Sequence, residues 1–581
     1  VRDEDHLINV SLDFGTHASG YGWCEHEADD DPTLRKIRTF DQWPHQPVPS
    51  VKTLTALLLD RDGSVLAWGY DAHKQWTEHR ADRRDKGWRY YHGFKMSLAA
   101  DDQPRTRYRS MALDDREDDV EELIVKFLRC MLDHILTDLA ASGYEKEDIR
   151  WCITVPAIWN EHQKALMRRC ALRAGFPTAD GRLLLALEPE AAAQQARIAQ
   201  VMVIDDDSGT REVLDVAGRR FIVADCGGGT VDLTSYRIES DHSLIEMGSV
   251  SGDARGAKYV NKAIEDSVLV PRLGGTALYA KLQDQCPEGI EDLLAAWERA
   301  KLNITVGHDR PVYLPITSGL AKKMPPRVKR ALAAIQKNVD DAIVITPAEV
   351  AAAFETVVER ICVLVSDQLH GLTIDAPTGH GPVVVLLVGR FAASPYLRQR
   401  LRTHLGEHAV VLVPPDPQVA VLAGAVHFAC RPDTRARRAR RTYGVVLCQR
   451  FEEGIDPEST RLKVPGQYDR CTSRFKVLVT KGDLVPTDDE VSCASTPLFG
   501  HQTALAVEFY STHDSTPRYV DSPDCEHLGC VEVDLTPVMD LKLNDRSIGI
   551  YMQFGETEIR SRVVLLATGQ ELTHSFTLLT T

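Results

Sequence analysis

The sequence has no CxxC pair, no apolar run of the ~18 residues that cross a bilayer, and fewer bases than acids. Each shortage excludes something. Lys and Arg total 68 against 84 Asp and Glu, a net charge of −16, whereas proteins that hold nucleic acid by general charge are usually basic. No specific nucleic-acid partner is therefore expected. Without a long apolar run no transmembrane segment is expected, and the opening VRDEDHLINV does not read as a signal peptide. The 13 cysteines are scattered from Cys24 to Cys530, the pattern of reduced, mostly buried thiols in a cytoplasmic protein. Cys525 and Cys530 flank His527, but a zinc site needs more ligands than these. GxxxxGK[ST] is missing, which excludes a P-loop. GHGPVVV (379–385) precedes a strand, where a dinucleotide-binding glycine motif would follow one.

What is present is a large core and a change of pattern along the chain. Of the 581 residues 43% are hydrophobic, enough for three or so ordinary domains and too many for a disordered chain. LINVSLDF (7–14), IRWCITVP (149–156), LLLAL (183–187) and VVVLLV (383–388) read as strands. Between them lie helical patterns, among them residues 120–143, which close on Gly143, and a segment capped by Asn160 and Gln163 that runs to Gly175. The acidic run DDREDDVEE (114–122) falls at a helix start, where negative charge opposes the helix dipole. Strands alternating with helices give an α/β class up to about residue 430. RPDTRARRARR (431–441) follows as an arginine-dense connector, which could meet an acidic partner or be an edge strand carrying charge. From 442 to 581 short alternating segments predict a β-rich domain.

The chemistry sits in two turns. FIVADCGGGTVDL (221–233) drives a strand into Asp225, three glycines and Thr230, and SLDFGTHASG (11–20) places Asp13 before Gly15, Thr16 and His17. Glycine in a strand loses chain entropy and packs nothing, so three in a row signal a close approach to the backbone. Successive N–H groups in such a turn converge on an anion, and threonine adds a hydroxyl. Phosphate is the occupant this chemistry selects. Aspartate beside phosphate requires a cation between them, which points to Mg²⁺ held through water by Asp13 and Asp225. Two such turns about two hundred residues apart suggest duplicated halves clamping one polyphosphate.

These motifs resemble those of the actin, hexokinase and 70-kDa heat-shock chaperone superfamily, and most closely the chaperones. ITVPAIWNEHQKALMRRCALRAGF (153–176), LEPEAAA (187–193), DCGGGTVDL (225–233), VVVLLVGRFAASPYLRQRL (383–401) and PPDPQVAVLAGAV (414–426) follow the chaperone nucleotide-binding pattern in order. VPAIW, YGVVLCQRFEEG (443–454) and MQFGETEI (552–559) resemble the divergent heat shock 70 kDa protein 12 branch. The resemblance implies an actin-like ATPase fold over residues 1–430, with two duplicated lobes, about 1–200 and about 220–415, around a central nucleotide cleft, then a return helix at about 417–430. It implies ATP or ADP with Mg²⁺ as ligands. Asp13 would order metal-bound water, and Gly15, Thr16 and His17 would line the first phosphate loop, His17 standing where the family commonly has threonine. Lys95 resembles the lysine that contacts the γ-phosphate, and Glu188 the glutamate near metal and attacking water. Asp225, Gly227, Gly228, Gly229 and Thr230 would form the second loop, with Asp232 a further acid and Gly256 another nucleotide-side glycine. Glu298, Lys301, Gly389, Arg390 and Asp416 match the adenosine side, while Leu302 replaces an arginine that stacks on adenine and Arg390 replaces a glycine.

The tail at 442–581 more faintly resembles a chaperone peptide-binding β-domain, a site for a peptide or protein client, and too little chain follows it for a helical lid. The implied function is slow ATP hydrolysis, with Lys95, Glu188, Asp225 and Thr230 as catalytic residues and lobe closure as the switch read by the β-domain. Two alternatives stand beside it. One is a nucleotide-gated adaptor with little or no hydrolysis. The other is a small-molecule kinase of the same superfamily, for which no acceptor pocket is recognisable.

Overall fold

A computed structural model describes residues 6–26, 31–79, 83, 85–99, 107–109, 117–179, 181–199, 202–204, 211–375, 382–554 and 557–575. Residues 114–116 of the acidic run, 379–381 of GHGPVVV and 555–556 of MQFGETEI lie outside them. The chain is mixed α/β and groups into two compact units. Unit 1 is Val1–Ile158, Arg173–Ser235 and Ser251–Arg431; unit 2 is Trp159–Leu172, Tyr236–Val250 and Pro432–Thr581. No helix among the described residues is long and apolar enough to cross a membrane.

Unit 1 contains the same strand arrangement twice. In the first, six-stranded sheet four consecutive strands are Leu183–Leu187, Ile149–Val155, Ile8–Asp13, Ala18–Glu25, with the first three parallel and the last antiparallel. In the second, seven-stranded sheet four consecutive strands are Ala409–Leu412, Val383–Val388, Arg220–Cys226, Val231–Ile238, again with the first three parallel. Parallel strands covered on both faces are apolar throughout, and every residue of Ile8–Asp13, Leu183–Leu187 and Val383–Val388 is buried. In each sheet the strand flanked on one side by parallel neighbours turns through a glycine–threonine segment into its hairpin partner. That placement sets both turns at the strands' C-terminal ends, where open α/β sheets bind ligands.

Helices fix the sheets. Val120–Ala141 begins where the Asp119 side chain accepts from the Glu122 N–H at 3.1 Å, so one member of the acidic run caps the helix as well as opposing its dipole. The last helix of unit 1, Ala420–Cys430, packs on Glu188–Ile198, and Ala425, Phe428 and Ala429 share a buried cluster with Cys152, Leu184 and Ala191. The crossing is so close that a Cβ on Gly424 would lie 1.7 Å from the Ala191 carbonyl oxygen.

Unit 2 is dominated by antiparallel strands. A five-stranded sheet runs Arg461–Leu462, Arg470–Val479, Thr442–Arg450, Ala504–Thr512, Glu526–Asp534. A four-stranded sheet runs Glu490–Ser495, Ile548–Gln553, Arg560–Leu565, Gln570–Ser575. Alternation decides which face packs: along Arg560–Leu565 only Ser561, Val563 and Leu565 are buried. Val445, Phe509, Ile550 and Val563 meet in one core drawn from both sheets. The segment Trp159–Leu172 joins this unit. Asn160 and Gln163 cap each other's backbone there at 2.8 and 2.9 Å, and Lys164 Nζ donates to the Thr557 carbonyl at 2.8 Å.

The arginine-dense stretch is not a bare connector. Thr434–Arg438 is a strand paired antiparallel with Leu484–Pro486. Arg438 donates to the Gly482 carbonyl at 2.9 Å, Arg441 pairs with Glu526, and Arg435 lies 3.6 Å from Asp241. Part of the charge read as available to an acidic partner is thus matched within unit 2.

Candidate functional site

Both glycine–threonine turns lie in unit 1, and they face each other. A Cβ on Gly228 would sit 3.5 Å from His17 Cβ, and one on Gly229 would lie 2.9 Å from Thr16 Oγ1 and 2.5 Å from Met96 Sδ. The second turn is closed by Gly227 N–H donating to the Thr230 carbonyl at 3.0 Å. It is braced from behind by three successive donors: Gly256 N–H to the Gly229 carbonyl at 2.9 Å, Ala257 to Gly227 at 3.1 Å, and Lys258 to Gly228 at 2.9 Å. Gly256 has no room for a side chain, since a Cβ would come within 2.6 Å of the Gly227 oxygen. In the first turn Gly15 N–H donates to Ser19 Oγ at 3.2 Å, and Thr55 Oγ1 donates to the Gly15 carbonyl at 2.7 Å. The N–H groups of Thr16, His17, Gly228 and Gly229 donate to no other described residue. Four backbone donors on two opposed turns therefore remain to be satisfied from outside the chain.

Acids and lysines gather beside the turns. Asp13, Lys95, Glu188, Asp225 and Asp232 are all buried. Lys95 Nζ donates to the Phe14 carbonyl at 2.5 Å and to Glu188 Oε1 at 2.9 Å. Burial raises the Asp225 carboxyl well above the usual range, and the neighbouring charges of Glu188, Asp232 and Asp13 push the same way. Burial and Glu188 likewise lift Asp232 to about 7, although the Ile158 N–H bonds Asp232 Oδ1 at 2.9 Å. Among the described residues Asp232 Oδ2 has no partner. Gly389, at φ +83°, lets the chain pass beside Asp225, because a Cβ there would lie 2.3 Å from Asp225 Oδ1. This glycine is required on both counts.

The residues read as the adenosine side form a second cluster. Lys301 Nζ donates to Glu298 Oε2 at 2.6 Å and to Asn261 Oδ1 at 2.8 Å, and Asn261 Nδ2 donates to Glu298 Oε2 at 2.7 Å. Burial would raise the Glu298 carboxyl, but Lys301 and the Asn261 hydrogen bond outweigh it and hold it low. Burial lowers Lys301, aided by the positive charge of Arg390. Burial also takes His17 down to about 3, with His92 and Arg390 adding to the effect. Arg390 is thus near enough to act on both turn and cluster. Asp416 is not drawn in: it is exposed and bonds the Gln418 N–H at 3.3 Å, while its neighbour Pro417 accepts from Gly389 N–H at 2.9 Å. Leu302 is 45% exposed.

Sequence reading missed three participants. Thr154 Oγ1 donates to Asp13 Oδ1 at 3.0 Å, Asn261 bridges Glu298 and Lys301, and Lys52 Nζ lies 2.5 Å from Asp13 Oδ2. Thr154 alone carried a local signal, the single buried hydroxyl near the end of an apolar strand.

No protein-family profile matches the chain. Among curated proteins it is 28% identical to heat shock 70 kDa protein 12B of Homo sapiens, covering 97% of this chain and 90% of that one. Heat shock 70 kDa protein 12A is 26% identical in Homo sapiens, covering 98% of this chain and 91% of that one, and 26% identical in Mus musculus, covering 97% and 90%. Over almost its whole length the chain is similar to the divergent heat shock 70 kDa protein 12 branch of the 70-kDa heat-shock chaperones.

Proposed function

We propose that unit 1 binds ATP and ADP between its two glycine–threonine turns and hydrolyses ATP slowly. The observation that carries the reading is the pair of opposed turns, which together leave four N–H donors for an anion. The repeated strand order supports an actin-like fold with duplicated halves. Phosphoryl transfer depends on positioning and electrostatics, and the turns, Lys95 and Thr230 supply both. Glu188 and Asp225 are buried beside the turns, where they would orient an attacking water.

Among the described residues no three His, Cys, Asp or Glu side chains converge as direct metal ligands. Magnesium held through water fits these acids, although at Asp13 it would have to displace Lys52 Nζ, which lies 2.5 Å from Oδ2. Asp13, Asp225, Glu188 and Asp232 crowd negative charge, and that crowding is part of what raises Asp225. Asp13 and Asp225 would hold the ion, which when bound offsets charge on the phosphate oxygens.

Nucleotide state would then set lobe closure within unit 1, with a peptide or protein client at residues 442–581 as the partner. Calorimetric titration with ATP and ADP, followed by single-turnover hydrolysis, tests the reading. Asp225→Asn should slow single turnover by about 10²-fold or more while binding persists. Equal rates in the two proteins would remove the hydrolysis claim. A second reading, a nucleotide-gated adaptor, is favoured by the exposed Leu302 in place of a stacking arginine, and tight binding without turnover by the wild type would establish it.

A further inference from the structure

Lys52 holds a position that the motif pattern does not explain. Ile8–Asp13 pairs with Ala18–Glu25 so that Asp13 is opposite Gly20. On the other side of that second strand, Ser19 is opposite Thr53, which brings Lys52 to the far flank of Gly20. Gly20 has no side chain, and a Cβ there would meet Lys52 Cγ at 3.0 Å and the Val51 carbonyl oxygen at 2.2 Å. The Lys52 stem and the Val51 carbonyl take the space a side chain at Gly20 would need, and the lysine reaches across the row to Asp13. Its Nζ lies 2.5 Å from Asp13 Oδ2, with Lys52 19% and Asp13 5% exposed at the side chain. The other Asp13 oxygen accepts from Thr154 at 3.0 Å. Both oxygens of the carboxylate that would order metal-bound water are already engaged by the protein.

We propose that Lys52 is a tethered cation that competes with a divalent metal for Asp13 and meets the phosphates of a bound nucleotide, so that nucleotide binding depends only weakly on magnesium. The proposal rests on the nucleotide-binding reading for its ligand and on the Asp13–Lys52 pair for its mechanism. A lysine ammonium carries three donors, so one can stay on Asp13 while others turn to an anion between the turns. Removing the ammonium would leave the acid cluster without one of its cations and open it to a metal ion.

Two titrations on the intact chain test this. In the first, Mn²⁺ alone is titrated without nucleotide into the wild type, Lys52→Met and Lys52→Arg. Lys52→Met should bind Mn²⁺ about tenfold or more tightly than the wild type, and Lys52→Arg, which keeps the charge, should stay close to the wild type. In the second, ADP is titrated with magnesium and with a chelator. The wild-type affinity should change by less than about threefold on chelation, and that of Lys52→Met by about tenfold or more. Equal Mn²⁺ affinity in wild type and Lys52→Met, or equal metal dependence of ADP binding in the two, would overturn the proposal. Failure of ADP to bind any of the three proteins would instead remove the nucleotide reading, and the Mn²⁺ comparison would still decide whether Lys52 blocks a cation site. Lys52→Arg guards against misfolding, since it preserves the pair at Asp13.

Discussion

At the scale of single residues, Gly228 gives the sharpest test of what the glycines are for. A Cβ there would sit 3.5 Å from His17 Cβ, an ordinary contact, so the fold has room for alanine while an anion in the turn does not. Gly228→Ala should leave the thermal midpoint nearly unchanged and weaken ATP and ADP binding by about tenfold or more, roughly 1.4 kcal/mol. Unchanged affinity would mean the turn holds no phosphate. His427 yields a pH prediction. It is buried, and Arg35 Nη1 lies 2.6 Å from its Nδ1. Burial, Arg35 and Arg197 hold its pKa near about 3 instead of 6.5. The unfolded chain therefore binds a proton below pH 6.5 that the folded chain refuses until about 3, and stability from this site is present above 6.5 and lost as pH falls toward 3. His6 and His92, both lowered to about 4, add to the same slope. Asp225 and Asp232, both raised by burial, slope the other way, so the site is read by difference: relative to the wild type, His427→Gln should gain in thermal midpoint as pH falls from 6.5 to 4, and a difference indifferent to pH over this range would contradict the assignment.

At the scale of elements, the Ala420–Cys430 and Glu188–Ile198 helices meet where Gly424 faces the Ala191 carbonyl oxygen. Backbone cannot give way as a flexible side chain can, so Gly424→Ala must part the helices and should destabilise unit 1 by about 1–3 kcal/mol, read as a lowered denaturation midpoint. An unshifted midpoint would show that the crossing is looser than described. Elements and turns were legible in the sequence because their causes are local. Continuous apolar runs marked the parallel strands, the Asn160–Gln163 pair marked a helix start, and consecutive glycines marked a close approach. Contacts made by the folding of distant segments were not legible. Lys52 meets Asp13 across 39 residues, Asn261 meets Lys301 across 40, and Thr154 meets Asp13 across 141, with no spacing rule connecting them. The grouping of Trp159–Leu172 with Pro432–Thr581 is of this kind too, for Lys164 and Arg168 find Thr557 and Glu558 nearly four hundred residues away. The arginine-dense stretch read as a linker because composition records charge and not its partners, which here include Asp241 and Glu526.

At the scale of the whole molecule, a ligand that binds the folded chain alone must stabilise it by mass action. ATP at about one hundred times its Kd should raise unfolding free energy by about 2.7 kcal/mol, seen as a higher thermal midpoint that follows ATP concentration. A midpoint independent of ATP would leave the turns without a nucleotide. The central claim is that two distant stretches of chain grip one polyphosphate, and hydrogen exchange on the intact protein, with and without ATP, addresses both at once. Thr16 and His17 in one turn and Gly228 and Gly229 in the other offer N–H groups that no described residue accepts. The account predicts that ATP slows exchange at both turns together, by about tenfold or more. Protection at neither turn, or at one alone, would contradict it.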